Sequence, residues 1–126
     1  MFLTAMQVAL GGAMGAVTRY LVGVGVLRAF GPQPMPLGVL LINITGSLLM
    51  GMLVTFLGLK ELTHWNAFLA TGILGGYTTF SSFSLETWTL IERGDLGLAA
   101  AYVVLSVAVS LIALIAGVHL MRWGMA

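Results

Sequence analysis

The residues able to do chemistry in this chain are polar groups set in apolar surroundings. The stretch ILGGYTTFSSFSLE, residues 73–86, packs two glycines, two threonines and three serines into otherwise lipid-soluble sequence. Polar groups at membrane depth are costly and point to function. Asn43 follows the apolar run LGVLLI, and its amide offers two N–H donors and one carbonyl acceptor. Taken alone it serves either as glue between helices, the commoner use, or as a ligand. Tyr102, Ser106 and Ser110 recur every four residues, which places three hydroxyls on one helical stripe. A lone serine would simply bond its own backbone carbonyl, whereas three in file mark a polar track. Phe80 and Phe83 stand one helical turn apart. Such pairs ordinarily pack against lipid or core, yet an aromatic edge carries positive potential. Ring edges beside an amide make a dry, weakly polar path for a small anion. Glu86 is the one carboxylate well inside a span and Arg19 the one guanidinium. A structural ion pair or snorkelling to the interface is the plain reading of both. The absence of a second buried acid argues against a paired-carboxylate proton relay. His64 sits in a connector and His119 near the C-terminal end, and no hydrolytic triad or metal-ligand spacing can be assembled from them. With no cysteine, disulfides and thiol chemistry are excluded too.

The elements that must position these groups follow from composition. Of 126 residues, 60% are hydrophobic and 7% charged, with a mean hydropathy of +1.08. A soluble fold needs far more polar surface. The expected class is all-α integral membrane, a single four-helix domain over residues 1–126. A net charge of +1 leaves no basic surface for nucleic acid. A spanning helix needs roughly 20 apolar residues, and four stretches qualify, near residues 2–27, 37–59, 65–91 and 96–121. The opening run is too long and too rich in patterned glycine for a cleaved signal, so a retained helix is expected. GPQPMP at 31–36, LKELTH at 59–64 and ERGD at 92–95 are short connectors, which force antiparallel neighbours. Gly11, Gly15, Ala16, Gly46 and Gly51 suit close helix contact. Gly11 and Gly15 form a GxxxG match, for which generic packing is a commoner reason than a dimer face.

Within the third stretch, Gly75-Gly76 is expected to end one half-helix, because glycine tolerates non-helical dihedrals. Thr79, Ser81 and Ser82 are N-cap types for the half-helix that resumes. A broken membrane helix is tolerated only where it is buried in protein or lines a cavity. Freed carbonyls there suit a cation, while freed N–H groups and the positive end of a half-helix suit an anion. The basic residues outside the spans divide evenly, Lys60 and Arg122 on one face against Arg28 and Arg93 on the other. The positive-inside rule therefore sets no orientation. A protein oriented by other signals and a dual-topology antiparallel dimer both fit that count. Four short helices leave little room for a conduction path, which favours an oligomer.

The segments GGAMGAVTRY (11–20), LLINITGS (40–47) and above all GGYTTFSSFSLE (75–86) resemble the Fluc (CrcB) family of fluoride channels. The resemblance extends over essentially the whole chain. It implies a dual-topology antiparallel homodimer in the inner (plasma) membrane, passing fluoride passively through two pores across the lipid bilayer. It places Asn43, Phe80 and Phe83 in each pore, with Tyr102, Ser106 and Ser110 continuing the track. It places a structural Na⁺ at the two-fold axis, held by the backbone carbonyls of Gly75 and Thr78 from both subunits. On that reading Gly75 tolerates no side chain, since a Cβ would oppose the backbone path. Val39 stands where some relatives carry a hydroxyl, which shortens the track at that end. Two rivals differ in kind. A small dual-topology, proton-coupled drug exporter would use Glu86 as its carboxylate. An assembly subunit that transports nothing would have an unbroken third helix.

Overall fold

In the computed structural model, which describes residues 1–126, every regular element is helical. Helix α1 spans Phe2–Phe30, α2 spans Leu37–Leu59, and α5 spans Leu96–Gly124. All three are long and apolar enough to cross a membrane. Between α2 and α5 the chain runs through a 3₁₀ turn (Thr63–Trp65), a π-helix (Ala67–Leu74), the single turn α3 (Gly75–Tyr77) and α4 (Ser81–Glu92). The third crossing is thus made of two half-helices. Arg93, just past α4, donates through Nη2 to Pro34 O at 3.3 Å, so the first and third connectors lie on the same face. Residues 63–92 must therefore travel the full length of α2.

Helix α1 runs three residues past its expected end. Gly31 stops it at φ 68° and ψ −177°, a conformation open essentially to glycine alone, and its N–H bonds Leu27 O at 2.8 Å. The third stretch breaks later than expected. Gly75 is helical, with φ −63° and ψ −37°, and the chain leaves the helix at Thr78, with φ −83° and ψ 162°. The expectation that Gly75-Gly76 forms the break is therefore corrected. At Gly76 the absent side chain is needed for approach, since a Cβ there would collide with the backbone of Gly12. Opposite it, Gly11 and Gly15 of α1 face the backbone of Phe68, Gly72 and Ile73 with no room for a side chain. Small residues allow such backbone contact, and in lipid that packing holds helices together. Gly51 and Gly117 do the same between α2 and α5, against Leu114 and Leu48. The glycine stripes singled out in the sequence thus serve contacts within one chain.

Only 17 of 126 residues are buried. Water would not tolerate the apolar surface that remains, and lipid would. The largest core cluster, Leu40, Phe83, Leu90, Ala99 and Tyr102, sits where α2, α4 and α5 meet. It backs the break and fixes where α4 restarts.

Candidate functional site

The break is defined by where its backbone hydrogen bonds go. Thr78 N–H still reaches Leu74 O at 3.1 Å. In a continuous helix Thr79 N–H would donate to Gly75 O. Here it donates to Asn43 Oδ1 at 2.9 Å, and Asn43 Nδ2 donates back to Thr79 O at 2.9 Å. Asn43 thus grips one peptide residue of the break from both sides, leaving one of its two N–H donors uncommitted. Ser82 N–H, which would donate to Thr78 O, donates instead to Thr79 Oγ1 at 3.2 Å. Of the three cap candidates Thr79 takes this task, relieving one of the orphan donors at the start of α4. The Gly75 and Thr78 carbonyls are therefore released from the helical ladder. Gly76 O, whose helical donor would be Phe80 N–H, accepts from Arg19 Nε at 3.2 Å. Beside it, Tyr77 is buried and its hydroxyl lies 2.9 Å from Thr45 Oγ1 on α2.

A groove of about 540 Å³ opens along the break. Asn43 and Ser47 from α2, Gly75, Thr78, Thr79, Phe80 and Phe83 from the broken element, and Ser106 and Ser110 from α5 line it. Phe80 and Phe83 stand 5.5 Å apart between centroids, tilted by 55°. Phe83 is buried and continues to Tyr102 at 5.3 Å, while Phe80 is 77% exposed in the single chain. The hydroxyls of Ser106 and Ser110 are buried without any hydrogen-bond partner. Neither uses its helix's own carbonyl, although five threonines and Ser84 do so elsewhere. A buried hydroxyl left unpaired costs about 1–3 kcal/mol, and such groups in a native fold call for an explanation. These two supply O–H donors at the wall of a mostly apolar groove.

Tyr102 does not line this groove. Its side chain is wholly buried, with its hydroxyl donating to Glu86 Oε2 at 2.9 Å. Glu86 in turn lines a second cavity of about 550 Å³, on the side of the first connector, together with Arg19, Gln33, Thr79 and Ser82. Thr79 lines both cavities. The Asn43–Thr79 pair therefore stands where the two meet, and the α5 hydroxyl stripe runs from one toward the other. Val39, flagged as the missing hydroxyl, also lines the second cavity.

Sequence reasoning brought Asn43, Gly75, Thr78, Phe80, Phe83, Ser106 and Ser110 forward, and one groove gathers them. It missed the parts played by Arg19 and Thr45 and, for Thr79, which it offered as a cap, the pairing with Asn43. For Arg19 a signal was present: Gly11, Gly15 and Arg19 are spaced by four, which puts the guanidinium on the glycine face that packs against the broken element.

The family described as "CrcB-like protein, Camphor Resistance (CrcB)" matches residues 6–118. A protein of Ruegeria sp. named "Fluoride-specific ion channel FluC" is 56% identical over 122 residues, 97% of each chain. Relatives of the same name from Cereibacter sphaeroides and Agrobacterium fabrum are 55% identical over 121 residues and 51% identical over 117. They cover 96% and 91% of this chain, and 96% and 93% of their own. A match that runs from the glycine face of α1 to the last turns of α5, at this identity, leaves one assignment: the chain belongs to the CrcB family.

Proposed function

We propose that this chain is a fluoride-selective ion channel, not an enzyme, that lets fluoride leave the cell passively and so lowers its cytoplasmic level. It is a multi-pass protein of the plasma membrane. The observation that carries the reading is the pair of buried, unpartnered hydroxyls, Ser106 and Ser110, in the wall of the groove that Phe80 and Phe83 also line. Fluoride is small, strongly hydrated and a strong hydrogen-bond acceptor. A path for it must replace water with fixed donors and stay too narrow for chloride. Two free O–H groups, the uncommitted N–H of Asn43 and aromatic edges meet that need without a ring of basic side chains. The relatives' name, fluoride-specific ion channel, supports the same substrate. The drug-exporter reading finds no support in the family, and the break in the third crossing removes the reason for an inert subunit.

The working unit in this proposal is an antiparallel homodimer with two pores. Phe80 and Gly75 are exposed in the single chain, and a second copy would cover them. Tyr102, bonded to Glu86, stands in this reading at the end of the track nearest the second cavity. A structural Na⁺ at the dimer axis fits the donor set. Gly75 O and Thr78 O have lost their helical N–H partners, and a hard cation favours several oxygens. Two carbonyls from each subunit would hold it and tie the subunits at the break. Fluoride efflux from liposomes containing purified protein, with chloride as control, tests the function. Rapid fluoride release with no chloride release is expected; equal rates for the two ions, or none for either, would overturn it.

A further inference from the structure

Arginine inside a membrane span is costly and is kept for a purpose. Arg19 continues the stripe of Gly11 and Gly15, and its Nε reaches Gly76 O at 3.2 Å. That oxygen has lost its helical donor because Thr78 is extended. Arg19 lines the second cavity, and a bare carbonyl behind it would repel an anion and compete with Gly75 and Thr78 for a cation. Thr79 O, the other released carbonyl near that cavity, is taken by Asn43 Nδ2. Two acceptor oxygens of the break are thus masked, one by α1 and one by α2.

We propose that Arg19 is a positioning residue of the ion pathway, acting through the Gly76 carbonyl. It fixes the peptide planes of residues 75–78, which keeps the Gly75 and Thr78 oxygens open and sets Thr79 in register with Asn43. The part that matters is the donor at Nε, not the charge. This rests on the conduction reading above.

Three substitutions separate donor from charge. Glutamine carries Nε2 at the same bond count from Cα as arginine Nε, without charge. Lysine keeps the charge but has a methylene at that position. Methionine keeps the length and has neither. Fluoride efflux is measured in liposomes, and the ¹³C resonance of the Gly76 carbonyl, which reports hydrogen bonding at that oxygen, is followed in micelles. Arg19→Met is expected to shift the resonance and slow efflux about tenfold or more, the scale of an acceptor left unpaired. Arg19→Gln should stay within about threefold of wild type, a neutral donor being weaker than a charged one, and Arg19→Lys should follow methionine. Lysine conducting like wild type while glutamine fails would overturn the proposal in favour of charge, and the glutamine–lysine comparison stands even if the methionine variant does not fold. A resonance unmoved by methionine would overturn it as well. Absence of flux in the wild type would strike the conduction reading instead, leaving the resonance to decide the clamp.

Discussion

At the scale of single residues, Asn43 and the two phenylalanines have different tasks and should fail differently. Asn43 makes two hydrogen bonds to Thr79. Asn43→Asp keeps the acceptor for Thr79 N–H but turns the donor facing Thr79 O into a second oxygen. The expected result is a loss of about 2 kcal/mol or more in thermal stability together with loss of fluoride efflux; normal stability and efflux would show that the grip on Thr79 is dispensable. Phe83 is buried against Tyr102 and Leu40, whereas Phe80 stands free in the single chain. Isoleucine at either position keeps apolar bulk and removes the positive ring edge. Both variants should lose fluoride efflux. Phe83→Ile should also cost about 1 kcal/mol of stability through the lost aromatic pairing, which differential melting in detergent would register. Isoleucine variants that stay dimeric and conduct at wild-type rates would remove the aromatic edges from the pathway.

At the scale of elements, the third crossing shows what was legible in the sequence and what was not. That it would break was readable from the types in residues 75–84, because glycine, threonine and serine are poor value in a lipid-facing helix. Where it would break was not. Glycine marks both flexible backbone and close approach, and composition cannot separate the two. The structure assigns Gly76 to approach and leaves the break to Thr78, whose extended dihedrals suit any residue. This reverses the expectation for Gly75. A Cβ there would meet only Ala70 O, at an ordinary 3.5 Å. Gly76→Ala should therefore cost about 2–3 kcal/mol by forcing α1 away, while Gly75→Ala should leave the fold of one chain within about 1 kcal/mol of wild type. Equal damage from both, measured by unfolding in detergent, would restore the backbone-path account. The helix ends at Leu37 and Leu59 were readable from apolar length and flanking prolines. The tethers Arg19–Gly76 and Thr45–Tyr77 were not, because pairings between residues far apart in sequence leave no local pattern.

At the scale of the whole molecule, the first and third connectors share a face, so Arg28 and Arg93 oppose Lys60 and Arg122. With charge so balanced, a C-terminal tag should be accessible from both sides of native membranes, and a single orientation would refute the antiparallel pairing. The same molecule-wide view makes the two α5 serines the sharpest point of the account. Their hydroxyls are buried and unpaired, and both residues line the groove that the broken crossing creates. If they exist to meet fluoride, removing them relieves an unpaired burial while depriving the ion of its donors. The decisive measurement is fluoride efflux of the Ser106→Ala/Ser110→Ala variant in liposomes, read beside its melting temperature. The account predicts efflux reduced at least about tenfold, since a hydrogen bond to a charged group contributes about 1.5–3 kcal/mol, with stability equal to or above wild type. Fluoride efflux at the wild-type rate from a stable double variant would contradict it.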